Sequence, residues 1–155
     1  MNYIEPISRK LNNLGRICLN ILSRRIKHLD INRYYYPLTL IYMNNGKLSQ
    51  KALSELLDKD KSAIVSIIDV LTEQGYVTRV VNPGDRREHL ISATEKAEKD
   101  VPQIIAAFKD LNKDITKDIS PEDMLIFNKV LSQMKTNMQP FIKQDHLAND
   151  VTPKA

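Results

Sequence analysis

The chain has 155 residues, 42% of them hydrophobic and 27% charged, the make-up of an ordinary globular domain rather than a fibrous or disordered one. Its formal net charge of +4 admits a nucleic-acid partner without establishing one. One cysteine and three scattered histidines (His28, His89, His146) exclude an internal disulfide and any zinc-ligand spacing. No apolar leader and no run near the ~18 residues of a membrane span is present, so the expectation is a reduced, cytoplasmic protein with no membrane contact and no cofactor.

Leu11, Leu14, Cys18, Ile21, Leu22, Ile26 and Leu29 recur at three- and four-residue steps and predict a helix over 8–29. "INRYYYPLTLIYMNNGK" holds a short apolar helix with Pro37 in its first turn and an end near Asn44-Asn45-Gly46. Ser49 caps a helix over 49–58, where Leu48 can staple onto Leu53 and where Leu53, Leu56 and Leu57 are expected to be buried. Asp60 caps a second helix over 61–74, stopped by Gly75. "YVTRVV" and "EHLIS" flank Asn-Pro-Gly and read as a β-hairpin. Helical spacing returns from Thr94 to about Asp118, with Pro102 expected to kink the helix or mark a boundary in it. "SPED" at 120–123 starts a last helix to about 142, with Met124, Phe127, Leu131, Met134, Met138 and Phe141 in steps near 3.5. The tail from 145 to 155 has no period and is expected to be flexible.

Helix, short turn, helix, hairpin is the outline of a winged helix-turn-helix, whose second helix enters the DNA major groove. Turning Ile64, Ile67, Ile68 and Leu71 inward leaves Ser62, Ser66, Asp69 and Glu73 outward, with Val65 at the edge. The start of that face is small and free of acid, so it can approach base edges closely, with Ser hydroxyls to bond them and Val65 to touch a thymine methyl. A solvated helix face has the same appearance, and the hairpin tip adds the distinguishing feature. A turn needs Asn, Pro or Gly but not Asp85, Arg86, Arg87 and Glu88. Neighbouring strand residues point to opposite faces, so one arginine can enter the negative minor groove while the other holds a phosphate. Asp85 would brace Arg87 or the tip backbone.

The segment "LSQKALSELLDKDKSAIVSIIDVLTEQGYVTRVVNPGDRREHLISATEKAEKDV" resembles the DNA-binding lobe of the MarR family of bacterial transcription regulators. With the flanking helices the resemblance spans roughly 10–142. It implies a mainly α fold with a small β-hairpin wing, made of a winged helix-turn-helix region (47–93) and a helical dimerisation region (1–46 and 94–144). It further implies a homodimer that binds double-stranded DNA at a palindromic operator, most often as a repressor. Asp85 and Arg87 match the wing motif, with Arg86 between them. Ser62, Ala63 and Ser66 fall where the family contacts bases, beside Lys61 and Val65 on the same helix. Leu11 and Leu14, with Met124, Phe127, Leu131, Met134 and Met138, would form the dimer interface. Ser66 stands where Arg is frequent and Ala63 where Thr is frequent, so the family's operator sequences do not transfer. Ala93 and Ala97 stand where Leu and Gly are common, which shifts packing at a helix start.

Many such regulators leave DNA when a small aromatic or phenolic molecule binds. Tyr34, Tyr35 and Tyr36 beside Arg16, Arg24 or His28 are the candidate site. Another branch senses peroxide through a first-helix cysteine, which makes Cys18 an alternative switch, although a cysteine on an apolar stripe is usually inert. A winged helix used only for protein contacts is the other alternative. No phosphate-cradling loop, metal spacing or nucleophile set points to an enzyme.

Overall fold

The computed structural model describes residues 5–149 apart from 32, 45, 86 and 87, with side chains described through 141. Within these residues, six helices and the two hairpin strands follow one another in the expected order, a third short strand is added, and the chain forms two compact units that divide between Ile115 and Thr116.

In the first unit, α1 spans Ile7–Arg25. It ends short of the expected Leu29, because the amide of Leu29 bonds Ile26 O at 2.9 Å in a tighter turn. The apolar spacing carries on through that turn, with Ile26 buried and Leu29 packed on the core. Periodicity marks which residues are buried and not where α-helical bonding stops. α2 spans Tyr35–Asn44, and Gly46 leaves it at φ +73°. A Cβ on Gly46 would lie 3.3 Å from Ser92 Oγ, so both the angle and the space favour glycine there.

β1 (Leu48–Ser49) runs straight into α3 (Gln50–Leu57), whose Ser49 cap accepts from the Ala52 amide at 3.2 Å. Leu48 and Leu53 are both buried, as the staple requires, but Leu56 is exposed rather than buried. Leu53 is the buried residue of α3, and Ala52 and Leu57 pack half-buried against the core beside it. α4 spans Lys61–Glu73, β2 Val77–Val81 and β3 His89–Ala93. The hairpin pairs Val77 with Ala93 through to Val81 with His89. β1 adds a third strand through Leu48↔Ile91, giving the antiparallel order β1-β3-β2. Two residues are too few for a strand pattern, and the sequence reading missed it.

α5 is one helix, Glu95–Ile115, that passes through Pro102 without a boundary. Pro102 lies on the exposed side, so water can satisfy the Glu98 carbonyl that its missing N–H leaves free. The core draws on every helix of this unit: Leu22 and Ile26, Leu38 and Ile41, Leu53, then Ile64, Ile68 and Leu71, then Val101 and Ile104. Each fully buried Leu or Ile contributes about 1.5–3 kcal/mol. α1, α2 and α5, all within the segments expected to dimerise, therefore share their core with the winged helix.

The second unit holds α6, Pro121–Asn149. Ser120 and Asp123 form its capping box, the Asp123 amide donating to Ser120 Oγ at 3.0 Å and that hydroxyl to Asp123 Oδ2 at 2.8 Å. The helix continues past 142 and through the start of the segment expected to be a flexible tail; 150–155 lie outside the described residues.

Candidate nucleic-acid interface

α4 starts from a cap that also engages a candidate reading residue. Asp60 Oδ1 accepts from the Ala63 amide at 2.8 Å and from the Ser62 hydroxyl at 2.7 Å. Those two bonds, the Ala63 amide first, hold the Asp60 carboxyl below the usual carboxylate range. Ser62 is exposed, but its proton serves the cap, which leaves its oxygen the role of an acceptor. Lys61 and Ser66 are exposed, and Ala63 and Val65 are half-buried at the edge. Ile64, Ile67, Ile68 and Leu71 are buried, as their spacing predicts.

The far end of α4 is closed by a Schellman turn. Gly75, at φ +75°, donates to Thr72 O at 2.9 Å, and Tyr76 donates to Leu71 O at 2.9 Å. Thr94 covers the next carbonyls, its hydroxyl donating to Gly75 O at 2.7 Å and its amide to Tyr76 O at 3.0 Å. Tyr76 is wholly buried, and its hydroxyl donates to Asp100 Oδ2 at 2.9 Å. Burial first, and the Asp100 carboxylate second, raise the Tyr76 hydroxyl pKa.

The wing tip is organised by Asn82. Its Oδ1 accepts from the Gly84 amide and its Nδ2 donates to Glu88 Oε2, both at 2.9 Å. Its main chain bonds Glu88 O at 3.0 Å and Asp85 N at 3.2 Å. Asn82 thus joins the two sides of the tip, and the Asp85 main chain adds a bond from the Glu88 amide at 3.0 Å. Asp85 is exposed there, while Arg86 and Arg87 lie outside the described residues, and so does the expected Asp85–Arg87 brace.

Between α3, the start of α4 and the wing lies a cleft of about 560 Å³ lined by Gln50, Lys51, Ser54, Lys61, Asp85, Glu88 and His89. It brings the predicted Lys61 and Asp85 together with Lys51 and His89. Neither of the latter was named from the sequence, since only the fold brings α3 beside the wing. The signal was present in one respect: Gln50 and Lys51 directly follow the cap Ser49.

Of the residues assigned to dimerisation, Leu11 (39% exposed), Leu14 (51%), Phe127 (43%) and Met138 (52%) lie open, and Met124, Leu131 and Met134 are half-buried. On α1, Ile7 and Ile17 are exposed as well, and on α6 so are Leu125, Ile126 and Val130, so the exposed apolar residues of each helix reach beyond its predicted stripe.

The three tyrosines have three different fates. Tyr35 is buried, which raises its hydroxyl pKa; Tyr34 is half-buried; Tyr36 is exposed. They line a cleft of about 320 Å³ with Leu19, Ser23, Arg33, Pro37 and Phe108. Arg16 is not part of it: its guanidinium donates to Asn13 Oδ1 at 3.0 Å, in a separate cleft along α1. The cation beside the tyrosines is Arg33, 4.9 Å from the Tyr34 ring centroid. Arg16 and the tyrosines sit on different elements, and sequence proximity did not fix which face of α1 turned toward α2. Cys18 is half-buried against the core. Among the described residues, no helix is long and apolar enough to cross a membrane, and no cluster of His, Cys, Asp or Glu could hold a metal ion.

The chain matches known proteins in both sequence and fold. The family model described as MarR family matches residues 33–88, from the start of α2 to the wing tip. The transcriptional regulator SlyA superposes with a TM-score of 0.77 at 24% identity, over 86% of this chain and 94% of that one. A Listeria monocytogenes protein assigned to the MarR family of transcriptional regulators, solved with a 26mer DNA, superposes at 0.78 with 20% identity, over 98% and 99%. The Staphylococcus aureus MepR–DNA complex superposes at 0.76 with 17% identity, over 86% and 96%. Residues 33–88 thus match the MarR family model, in a chain that has the fold of the MarR and SlyA proteins.

Proposed function

We propose that this chain is a sequence-specific regulator that binds double-stranded DNA as a homodimer at a palindromic operator, represses transcription there and leaves when a small aromatic or phenolic ligand binds. One observation carries the reading: the outer face of the first half of α4, formed by Lys61, Ser62 and Ser66, is exposed and free of acid beside a cleft lined by Lys51, Lys61 and His89 together with Asp85 and Glu88 of the wing. Proteins of the same fold have been solved on DNA, which supports it. Lys61, Ser62, Ala63, Val65 and Ser66 would face the major groove, with Asp85, Arg86 and Arg87 at the minor groove. The exposed leucines of α1 and the apolar residues of α6 supply what a second copy would cover. The tyrosine-lined cleft, with Arg33 in place of Arg16, is the effector site of this reading.

The test is titration of the purified protein against DNA from upstream of its own gene, and against a random-sequence pool, at several salt concentrations. Tight binding that falls steeply with salt is expected, because phosphate contacts release counterions. No binding to any duplex at low salt would leave a winged helix that serves protein contacts alone.

A further inference from the structure

We propose that Lys96 is a positioning residue for α4: its ammonium ties the exit of that helix to the segment following α1, and so sets the angle at which α4 presents Ser62 and Ser66. The inference rests on the DNA-binding reading above. The Lys96 Nζ donates to Gln74 O at 2.8 Å and to Asp30 Oδ2 at 2.9 Å, and it stands 4.3 Å from the Tyr76 ring centroid. Gln74 is the residue that ends α4, Asp30 belongs to the turn after α1, and Tyr76 opens the path into the wing. One cation therefore meets three segments at one point.

The arrangement suits a cation. The C-terminal end of a helix carries partial negative charge, and the Schellman turn leaves the Gln74 carbonyl facing Lys96. The face of the Tyr76 ring attracts the same charge. Gly75 turns the chain at φ +75°, an angle that favours glycine, and the Lys96 stem passes beside it, where a Cβ would meet Lys96 Cδ in ordinary contact at 3.9 Å. Two further residues of the same stretch, Thr94 and Asp100, bind the Gly75 and Tyr76 groups, so the exit of α4 is held by the start of α5. Lys96 is the member of that set that also reaches Asp30.

The entrance of α4 is held differently, by its own Asp60 cap. Ser62 lies about 18 Å from Gln74 along the helix, at 1.5 Å per residue. A small rotation about the held exit thus moves the reading face sideways by more than it moves the exit. Lys96 acts without touching a base, through the orientation of Ser62, Val65 and Ser66.

The experiment compares the full-length protein with Lys96→Met, Lys96→Arg and Asp30→Asn. Two probes are used: a duplex recovered by the wild type from a random-sequence pool, and an unrelated duplex of equal length. All measurements are made well below each variant's melting transition. Lys96→Met is expected to lose about tenfold in the ratio of the two affinities, the scale of one charge-assisted hydrogen bond. Lys96→Arg keeps the ratio. Binding to the unrelated duplex and its salt slope stay at the wild-type value, since no phosphate contact is removed. Asp30→Asn loses about threefold, less because its carboxylate is exposed and screened. If Lys96→Met does not fold, Asp30→Asn decides alone.

A wild-type ratio in the folded Lys96→Met, or in Asp30→Asn where that variant decides, overturns the proposal. Loss on both duplexes with a shallower salt slope overturns it too, since Lys96 would then be a phosphate contact. A wild type that binds neither duplex removes the DNA reading itself, a result distinct from variants that bind as the wild type does.

Discussion

The guanidinium of Arg79 on β2 is ion-paired with the carboxylate of Asp69 on α4, which joins the wing to the helix it flanks. Both side chains are partly exposed, so the pair is worth no more than about 1 kcal/mol of stability. Its effect on DNA binding is separable by sign. Asp69→Asn removes a negative charge near the DNA, which alone would strengthen binding; loss of the tie frees the wing and weakens it. The expected outcome is several-fold weaker binding to a selected duplex with an almost unchanged urea midpoint. Tighter binding would show that the pair does not hold the wing in its working position.

Arg87→Ala is expected to cost about 1–3 kcal/mol of operator binding, the range of a good groove contact. Ser66→Arg is expected to change the sequences recovered from a random pool while leaving the melting temperature in place, because Ser66 is exposed. Unchanged selection by the Ser66 variant would remove it from the reading face.

Leu14→Asp and Phe127→Asp should each yield a folded but monomeric protein, since both side chains are exposed within one chain. Analytical ultracentrifugation at several concentrations checks this. A monomeric chain should bind the palindrome as independent halves, with a large loss of affinity. A variant that stays dimeric would place the interface elsewhere.

The Asp60 cap predicts an acid dependence. Its carboxyl has a lowered pKa in the folded state, so its contribution is complete above the ordinary carboxylate pKa, about 4. That contribution fades as the pH falls through the lowered folded value. Asp60→Asn, which still caps but does not titrate, should melt lower than wild type at neutral pH and converge on it in acid. Thermal melts across the acid range test the convergence; parallel curves would assign the acid sensitivity to other carboxylates.

Tyr76→Phe removes the donor to the buried Asp100 carboxylate. It should destabilise the protein by about 1–3 kcal/mol, the cost of a buried acceptor losing its partner. Denaturant unfolding measures it. A neutral result would mean that Asp100 finds another donor or water.

The parts of the fold legible in the sequence are those that rest on caps and long periods. Ser49, Asp60 and Ser120 each cap the helix they were expected to cap, and Ile64, Ile67, Ile68 and Leu71 turn inward as spaced. What escaped depends on contacts that helix and strand periods do not report, some between chain neighbours and some between residues far apart. β1 exists only because Ile91 and Leu90 lie beside Leu48 and Ser49. Arg33, next to Tyr34 in the chain, meets that ring, while Arg16 is bonded to Asn13 on its own helix. Asn82 read as a turn former, yet its amide also bonds Glu88 across the tip. Lys51 and His89 needed the third dimension to become neighbours of Lys61.

The cap at Asp60 divides the proposed reading residues into two kinds. Ser62 is committed to the helix start through its hydroxyl, whereas Ser66 and Val65 come after the cap and hold none of its bonds. Substitutions at 65 and 66 can therefore drift through many side chains at little penalty to folding, while those at 62 are screened by it. New operator preferences should accumulate first one turn into the helix, so that related regulators could diverge in target while keeping the same scaffold and the same first turn.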